Sequence, residues 1–378
     1  MSFLLSTIAF FVLLTLLVLI HELGHFVVAK WSKVTVDEFG FGLPPMAKKL
    51  FTWKNTLFSL NWIPFGGFVR MKGENSMDPN VRNLKGSFAA ASIPKRLAIL
   101  MAGVFMNFIL AISIYTAGFW LFDWVPTYLS VESLNVAESR GDAVVDWGLY
   151  VTEISSGGGA DGANVMTGGV LMSVNGNSVF NVDDVLVEQE GKSSVEYVIE
   201  YKLEEAEEVK ETEEKKFIVQ VDNGKTGIAL SRIATNIEIK DVNFFGGIGL
   251  ALRESWTVTS GTVDGITSLF KSLIFVHGVP EGIAGIVGIA QLTHNSIQEG
   301  MMVYLRLVAL LSLSLAVLNI LPFPALDGGR VVFVIVEMII RKPVNRRLEV
   351  ITNAAGIIFL MAVMVAVTWN DILRIFSS

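Results

Sequence analysis

Four stretches of this chain are long and uncharged enough to cross a lipid bilayer, and that property excludes most of what 378 residues could otherwise become. A spanning helix needs about 20 consecutive apolar residues. Residues 2–20 hold no charge, residues 97–122 give 26 uncharged positions, residues 307–326 give 20 and residues 350–370 give 21. The composition agrees. Charged residues make up 17% of the chain, against about 25% in an ordinary soluble domain. The expected fold is a polytopic α-helical membrane protein with four transmembrane helices. The first stretch reads as a span rather than a cleaved leader: no basic residue precedes it, and it runs straight into His21-Glu22. With a net charge of −7 and no basic block interleaved with aromatics, nucleic acid is not an expected partner. The absence of Cys removes disulfides, thiolate metal sites and a Cys nucleophile together.

Charge orients the spans. From Lys30 to Arg96 the chain holds 11 basic residues against 4 acidic ones, and Arg330, Arg341, Lys342, Arg346 and Arg347 dominate the third connection. From Asp123 to Gly300 it holds 11 basic against 27 acidic. Basic loops stay cytoplasmic, so both termini and the acidic centre are expected outside. Residues 272–298 are interrupted by Gly and Pro and carry His277 and His294. They read as a re-entrant or surface-lying segment rather than a fifth span, with the two His as interfacial residues. Residues 244–276 alternate apolar with polar positions and are expected along the interface. The organisation expected is residues 1–122 as the first part of a membrane domain, 123–242 as an inserted extracytoplasmic β-rich domain, 243–300 as the interfacial segment and 301–378 as the second part of the membrane domain.

The inserted domain has its own signature. Residues 149–154, 170–174, 195–201 and 217–221 read as strands, residues 182–188 as a short helix, and Asn175-Gly176 as a hairpin turn. The charged run 204–216 reads as a solvated loop. Gly148-Leu149-Tyr150-Val151, followed by Gly168-Gly169 and the run to Asn175-Gly176, looks like a PDZ domain. In that family such a strand accepts an extended peptide at a sheet edge. The plainer alternative is a small β domain that acts only as a steric shield.

His21-Glu22-Leu23-Gly24-His25 is the strongest chemical signal. Two His at i and i+4 share one helix face and can hold one metal ion, and an adjacent carboxylate can take a proton from metal-activated water. Ionisable groups at the end of an apolar span are costly, on the order of 3 kcal/mol for a charge near the bilayer centre. A helix end reaching the interface would tolerate one charge, yet it does not explain two His around a Glu. A catalytic zinc site needs three protein ligands. Far downstream, Pro322 and Pro324 break the third span and Asp327-Gly328-Gly329 follows. Asp327 suits both a third ligand and a helix cap, and its residue type alone leaves that open.

The pair of motifs, His21-Glu22-x-x-His25 in the first span and Asn319-x-x-Pro-x-Pro-x-Leu-Asp327-Gly in the third, resembles the site-2 protease family of intramembrane metalloproteases. Residues 61–71, Asn-Trp-Ile-Pro-Phe-Gly-Gly-Phe-Val-Arg-Met, and the run from Ala102-Gly103 to Asn107-Phe108 are similar to its bacterial regulator-of-sigma-E protease branch. The resemblance implies His21, His25 and Asp327 as ligands of one Zn2+ per chain and Glu22 as general base. It implies substrate contacts at Asn319, Pro322, Pro324, Gly66, Gly67 and Phe68, and a membrane-associated hairpin at 58–71 whose strand edge takes up the unwound substrate. A transmembrane helix satisfies its own backbone, so it must unwind before a peptide bond is exposed. The PDZ peptide groove would involve Gly148, Leu149, Tyr150 and Val151. Proteobacterial relatives usually carry two PDZ domains, whereas one fits here. The implied function is an intramembrane zinc endopeptidase of the bacterial plasma (inner) membrane. It would cut single-pass substrates of the anti-sigma-factor or signal-peptide-remnant type near the cytoplasmic side, with lipids as its other partners. The rivals are a non-catalytic PDZ membrane scaffold and a metal transporter. The first has no use for an intact metal set, and the second needs polar positions along several helices.

Overall fold

The computed structural model describes residues 2–74, 76–127, 130–141, 143–202, 212–222, 224–239, 242–275, 280 and 282–377. His277 and residues 204–211 of the charged run lie outside the described residues. In chain order the elements are α1 (Ser2–Trp31), β1 (Val36–Trp53), β2 (Thr56–Met71), α2 (Pro79–Arg82) and α3 (Ile93–Leu121). There follow α4 (Val131–Ser139), β3 (Ala143–Ile154), α5 (Gly159–Gly162), β4 (Val170–Val174), β5 (Asn177–Ser178), α6 (Val182–Gln189), β6 (Ser194–Lys202), β7 (Thr212–Gln220) and β8 (Ile228–Ile239). The chain closes with α7 (Phe244–Phe275), α8 (Ile286–Glu299), α9 (Met301–Ile320), α10 (Asp327–Ile340) and α11 (Arg346–Ser377). Two compact units result: residues 1–122 with 243–378, and residues 123–242.

In the first unit four helices are long and apolar enough to cross a membrane among the described residues: Leu4–Trp31, Ile93–Leu121, Met301–Ile320 and Arg346–Phe376. Two bounds differ from the sequence reading. The first helix continues past Ile20 to Trp31 and carries the His-Glu-x-x-His run, as the helical spacing of the two His requires. The third stops at Ile320, short of Leu326, because Pro322 and Pro324 bring no N–H donor and cannot continue it. Ala325 then adopts a positive φ of 78°, at a cost of about 1 kcal/mol for a residue with a Cβ. The chain restarts as α10, with Gly328 lying against the Ile320 and Leu321 carbonyls. Within 272–298, α8 is a helix of 14 residues, too short to span. Asp371 of α11 accepts the N–H groups of Gly285 and Gly288 at 2.8 and 2.9 Å, satisfying donors that a helix start leaves open. His294 stands 2.8 Å from Ser6 of α1 through its Nδ1.

Residues 58–71 do not form a hairpin of their own. They are most of β2, which pairs along its length with β1, turning at Trp53–Thr56. Phe39 lies opposite both Phe58 and Val69, so the two bent strands fold into a broader layer. Gly67–Met71 pairs with the start of β1 on one side and has no strand partner on the other among the described residues. Phe26 of α1, Phe39, Met71, Ile99 of α3 and Val334 of α10 share one buried cluster, which seats the layer on the helices.

The second unit is a sheet in the order β7-β6-β4-β3-β8, with β5 on β4. Leu149, Leu171, Tyr197 and Ile199 form the centre of its core. The Asn175-Gly176 turn joins β4 to β5, both residues having positive φ. Asn181 and Asp184 form a reciprocal capping box at the start of α6. The Phe180 backbone N–H, followed by that of Asn181, donates to the Asp184 carboxyl and holds it below its ordinary range. Burial pushes the Tyr197 phenol up, and it is hydrogen-bonded to Thr226 at 3.0 Å. Two readings need correction. The strand through Gly148, Leu149, Tyr150 and Val151 offers no edge: β8 pairs it on one side and β4 on the other at Leu149 and Tyr150. Its alternating pattern marks a half-buried strand and says nothing about which strands flank it. Residues 212–216, read as loop, begin β7, an outer strand whose charged side chains face solvent.

Leu171→Ala is expected to destabilise the second unit by about 2–5 kcal/mol. Amide hydrogen exchange on the full-length protein in detergent should show β3, β4 and β6 exchanging faster while α1 and α3 keep their protection.

Candidate metal centre

His21 and His25 both point from one face of α1 towards α3, one helical turn apart as their spacing requires. Room for them comes from a glycine. A Cβ on Gly103 of α3 would stand 2.6 Å from the Nε2 atoms of both rings. Gly24, between the two His, packs directly on the Ala102 backbone and brings the helices together. Both His are buried. His25 Nδ1 lies 2.7 Å from the Ile99 carbonyl, which can only accept, so this nitrogen carries a proton while Nε2 is turned towards His21 and Asp327. Asn107 Nδ2 lies 3.4 Å from His21 Nδ1. Asn107 is itself fully buried in α3, and Ser312 of α9 donates to its carbonyl at 2.9 Å.

Asp327 opens α10, immediately after the Pro-rich break. Its Oδ2 lies 2.8 Å from His21 Nε2 and 3.1 Å from His25 Nε2, and the two Nε2 atoms are 3.1 Å apart. Three donor atoms of mixed imidazole and carboxylate type thus converge on one point. Tetrahedral zinc with bonds of about 2.0–2.2 Å holds its ligand atoms about 3.3 Å apart, so this donor set fits such an ion. Asp327 forms no side-chain cap on α10, whose N-cap residue is Leu326.

Beside the cluster lies a cavity of about 250 Å³. Its walls are Glu22 and His25 of α1, Phe68 to Met71 of β2, Leu100 of α3, and Asp327 and Arg330 of α10, with Glu74 from the turn after β2. Glu22 and Val69 line the same cavity. Phe68–Met71, which has no strand partner on its outer side among the described residues, therefore runs along the same cavity as Glu22. Gly66 has a φ of +79°, which L-residues rarely adopt, and a Cβ on Gly67 would crowd Leu19 at 2.9 Å.

Of the residues expected at substrate, Phe68 lines this cavity, whereas Asn319, Pro322, Pro324, Gly66 and Gly67 do not. Asn319 is half-buried in the last turn of α9. Gly103, Asn107, Glu74 and Arg330 were not singled out from the sequence as site residues. A glycine or a lone charge has no period or spacing of its own; only the position of Gly103 and Asn107 in a motif-bearing second helix hinted at them.

Comparison with known proteins places these residues in context. The sequence profile described as Peptidase family M50 matches residues 9–363. A protein of Rickettsia conorii named as a zinc metalloprotease is 30% identical, covering 99% of this chain and 100% of its own. One from Clostridium perfringens is 29% identical over 94% of this chain and 95% of its own length, and one from Rhizobium meliloti is 27% identical over 97% and 96%. Both carry the same description.

Gly103→Ala raises helix propensity yet puts a methyl group into the space between the rings. It is expected to lower metal affinity by at least about 10–100-fold, the range seen when groups around a ligand set are disturbed. Asn107→Ala should fall at the lower end of that range. Metal content of the purified protein, measured at increasing chelator concentration, checks both.

Proposed function

The chain belongs to peptidase family M50 and is a multi-pass membrane zinc metalloprotease, and from that premise we propose that His21, His25 and Asp327 hold the zinc ion while Glu22 is the general base. The observation that carries this reading is the convergence of those three donor atoms within 3.1 Å, beside a cavity that also holds Glu22 and a strand edge with no strand partner among the described residues. When bound, zinc supplies Lewis acidity, lowering the pKa of a water towards about 7 and polarising the scissile carbonyl. The chain's own residues do the rest. Glu22 takes a proton from the attacking water and returns one to the leaving amide nitrogen as the C–N bond breaks. The Ile99 carbonyl fixes the His25 tautomer, and Asn107 steadies His21.

The substrates proposed are single-pass membrane proteins, of the anti-sigma-factor or signal-peptide-remnant type, cut in regulated intramembrane proteolysis. An unwound substrate segment would add as a strand to Gly67–Met71, replacing the backbone hydrogen bonds it gave up. Asn319, Pro322 and Pro324 would touch the substrate from the end of α9, outside the cavity. The charge asymmetry supports a bacterial plasma (inner) membrane orientation with both termini and residues 123–242 extracytoplasmic, and with the site near the cytoplasmic face. The domain division 1–122, 123–242, 243–300 and 301–378 belongs to the same reading. Residues 123–242 would be a PDZ-like filter against substrates with bulky outer parts. Since the Gly148–Val151 strand is paired on both sides, its peptide groove is better sought at the outer edge of β8. There α6 presents exposed Val182, Leu186 and Val187. A non-catalytic scaffold has no support from a chain that belongs to a peptidase family along most of its length.

Cleavage of a single-span peptide with a short outer part, in liposomes, tests the assignment. Glu22→Gln is expected to lower the rate by about 10²–10⁴-fold while keeping its zinc. Asp327→Ala should lose both zinc and activity, and chelator should silence the wild type until zinc is returned. Glu22→Gln cleaving within about threefold of the wild type would remove Glu22 from the role of base.

A further inference from the structure

Two charges in the cavity have no part in the chemistry described so far. Glu74, in the turn after β2, pairs through Oε1 with Arg330 Nη1 in the first turn of α10. The Glu74 side chain is 9% exposed, and its other oxygen accepts the Met71 backbone N–H at 3.4 Å. An exposed ion pair contributes little, and a shielded one is costly unless its remaining bonds are satisfied. Here the pair stands beside two further carboxylates, Glu22 and Asp327, whose mutual repulsion the guanidinium offsets.

The pair also joins two pieces that must stay aligned. Glu74 is fastened to Met71, the last residue of the strand whose outer edge, without a strand partner among the described residues, runs along the cavity. Arg330 lies one turn beyond Asp327 on a helix whose far end is tied to α3 by a second pair, Glu337 with Arg96. We propose that Glu74–Arg330 is a positioning pair that sets substrate register. It holds the Gly67–Met71 edge at a fixed height against Asp327 and so decides which peptide bond of an added strand reaches Glu22. This rests on the reading that substrate adds to that edge. A slip of one residue moves a strand by about 3.3 Å and turns its side chains to the opposite face. Loosening the pair therefore has a discrete signature, a second cleavage position rather than a mere loss of rate.

The chain has no Cys, so a single one introduced by Phe68→Cys is a unique thiol on the edge strand. In a Glu22→Gln background, substrates carrying one Cys at successive positions are oxidised with the full-length protein in liposomes, and the cross-link yield is read at each position. Yields are expected to peak sharply with the native pair and to spread over neighbouring positions with Arg330→Ala. Cleavage products of the Arg330→Ala enzyme with Glu22 intact should show ends shifted by one or two residues by mass spectrometry, at unchanged zinc content. The exchange Glu74→Arg with Arg330→Glu should restore the sharp peak, and Arg330→Lys, which keeps the charge and loses the planar fork, should fall between. An unaltered sharp peak in Arg330→Ala would overturn the positioning role while leaving the strand-edge reading intact. Zinc lost in Arg330→Ala and not regained in the exchange would also overturn it, assigning the pair to support of the metal set. No cross-link at any substrate position, even with the native pair, would remove the strand edge as the docking site and this proposal with it.

Discussion

Two imidazoles and a carboxylate whose reactive atoms crowd within 3.1 Å of one another are the constraint around which the helical unit is arranged. In an apolar bundle no water screens such groups or completes their hydrogen bonds. Everything near them must therefore supply a partner or make room. α3 does both, with the Ile99 carbonyl and Asn107 as partners and Gly103 as the gap into which the rings fit. α9 enters at one remove, through Ser312 on the backbone of Asn107. The Pro-rich break after α9 belongs to the same solution, because a continuous helix would carry Asp327 past the rings instead of turning it back onto them.

Much of this was legible in the sequence because it rests on local periodicity. The four apolar stretches declare the helices, and two His at helical spacing declare a shared face. Two prolines and a glycine pair declare a break. What was not legible depends on neighbours distant in the chain. Gly148–Val151 reads as a strand, but nothing in those residues tells that β8, some eighty positions later, covers the side left open in the sequence reading. The resemblance implies a hairpin within residues 58–71, whereas the actual turn lies at Trp53–Thr56, Gly66 takes a positive φ and Gly67 packs closely against Leu19 of α1. Glu74 and Arg330 look like ordinary loop and helix-start charges until the fold joins them across the cavity.

The helical unit also shows how charge is used sparingly where water is scarce. α10 carries Arg330 near its start and Glu337 near its end, each with a partner from a different element. α8 begins where Asp371 of α11 takes up its free N–H groups. In these cases a charge sits near a helix end or turn, where a counter-charge or a helix start meets it, while residues such as Leu13, Leu17 and Val308 pack against one another in the spans.

Asp327 is separated from His21 by 306 positions and from His25 by 302, with an independently packed β-rich unit encoded between them. Chains emerge from the ribosome N-terminus first, so α1 reaches the membrane with its two imidazoles long before the carboxylate has been made. A copy that ends before residue 327 therefore carries the two imidazoles without the carboxylate that meets them. The convergence of the three side chains waits on the third apolar helix and the turn that follows it, and is set by tertiary packing rather than by the local sequence around the two His.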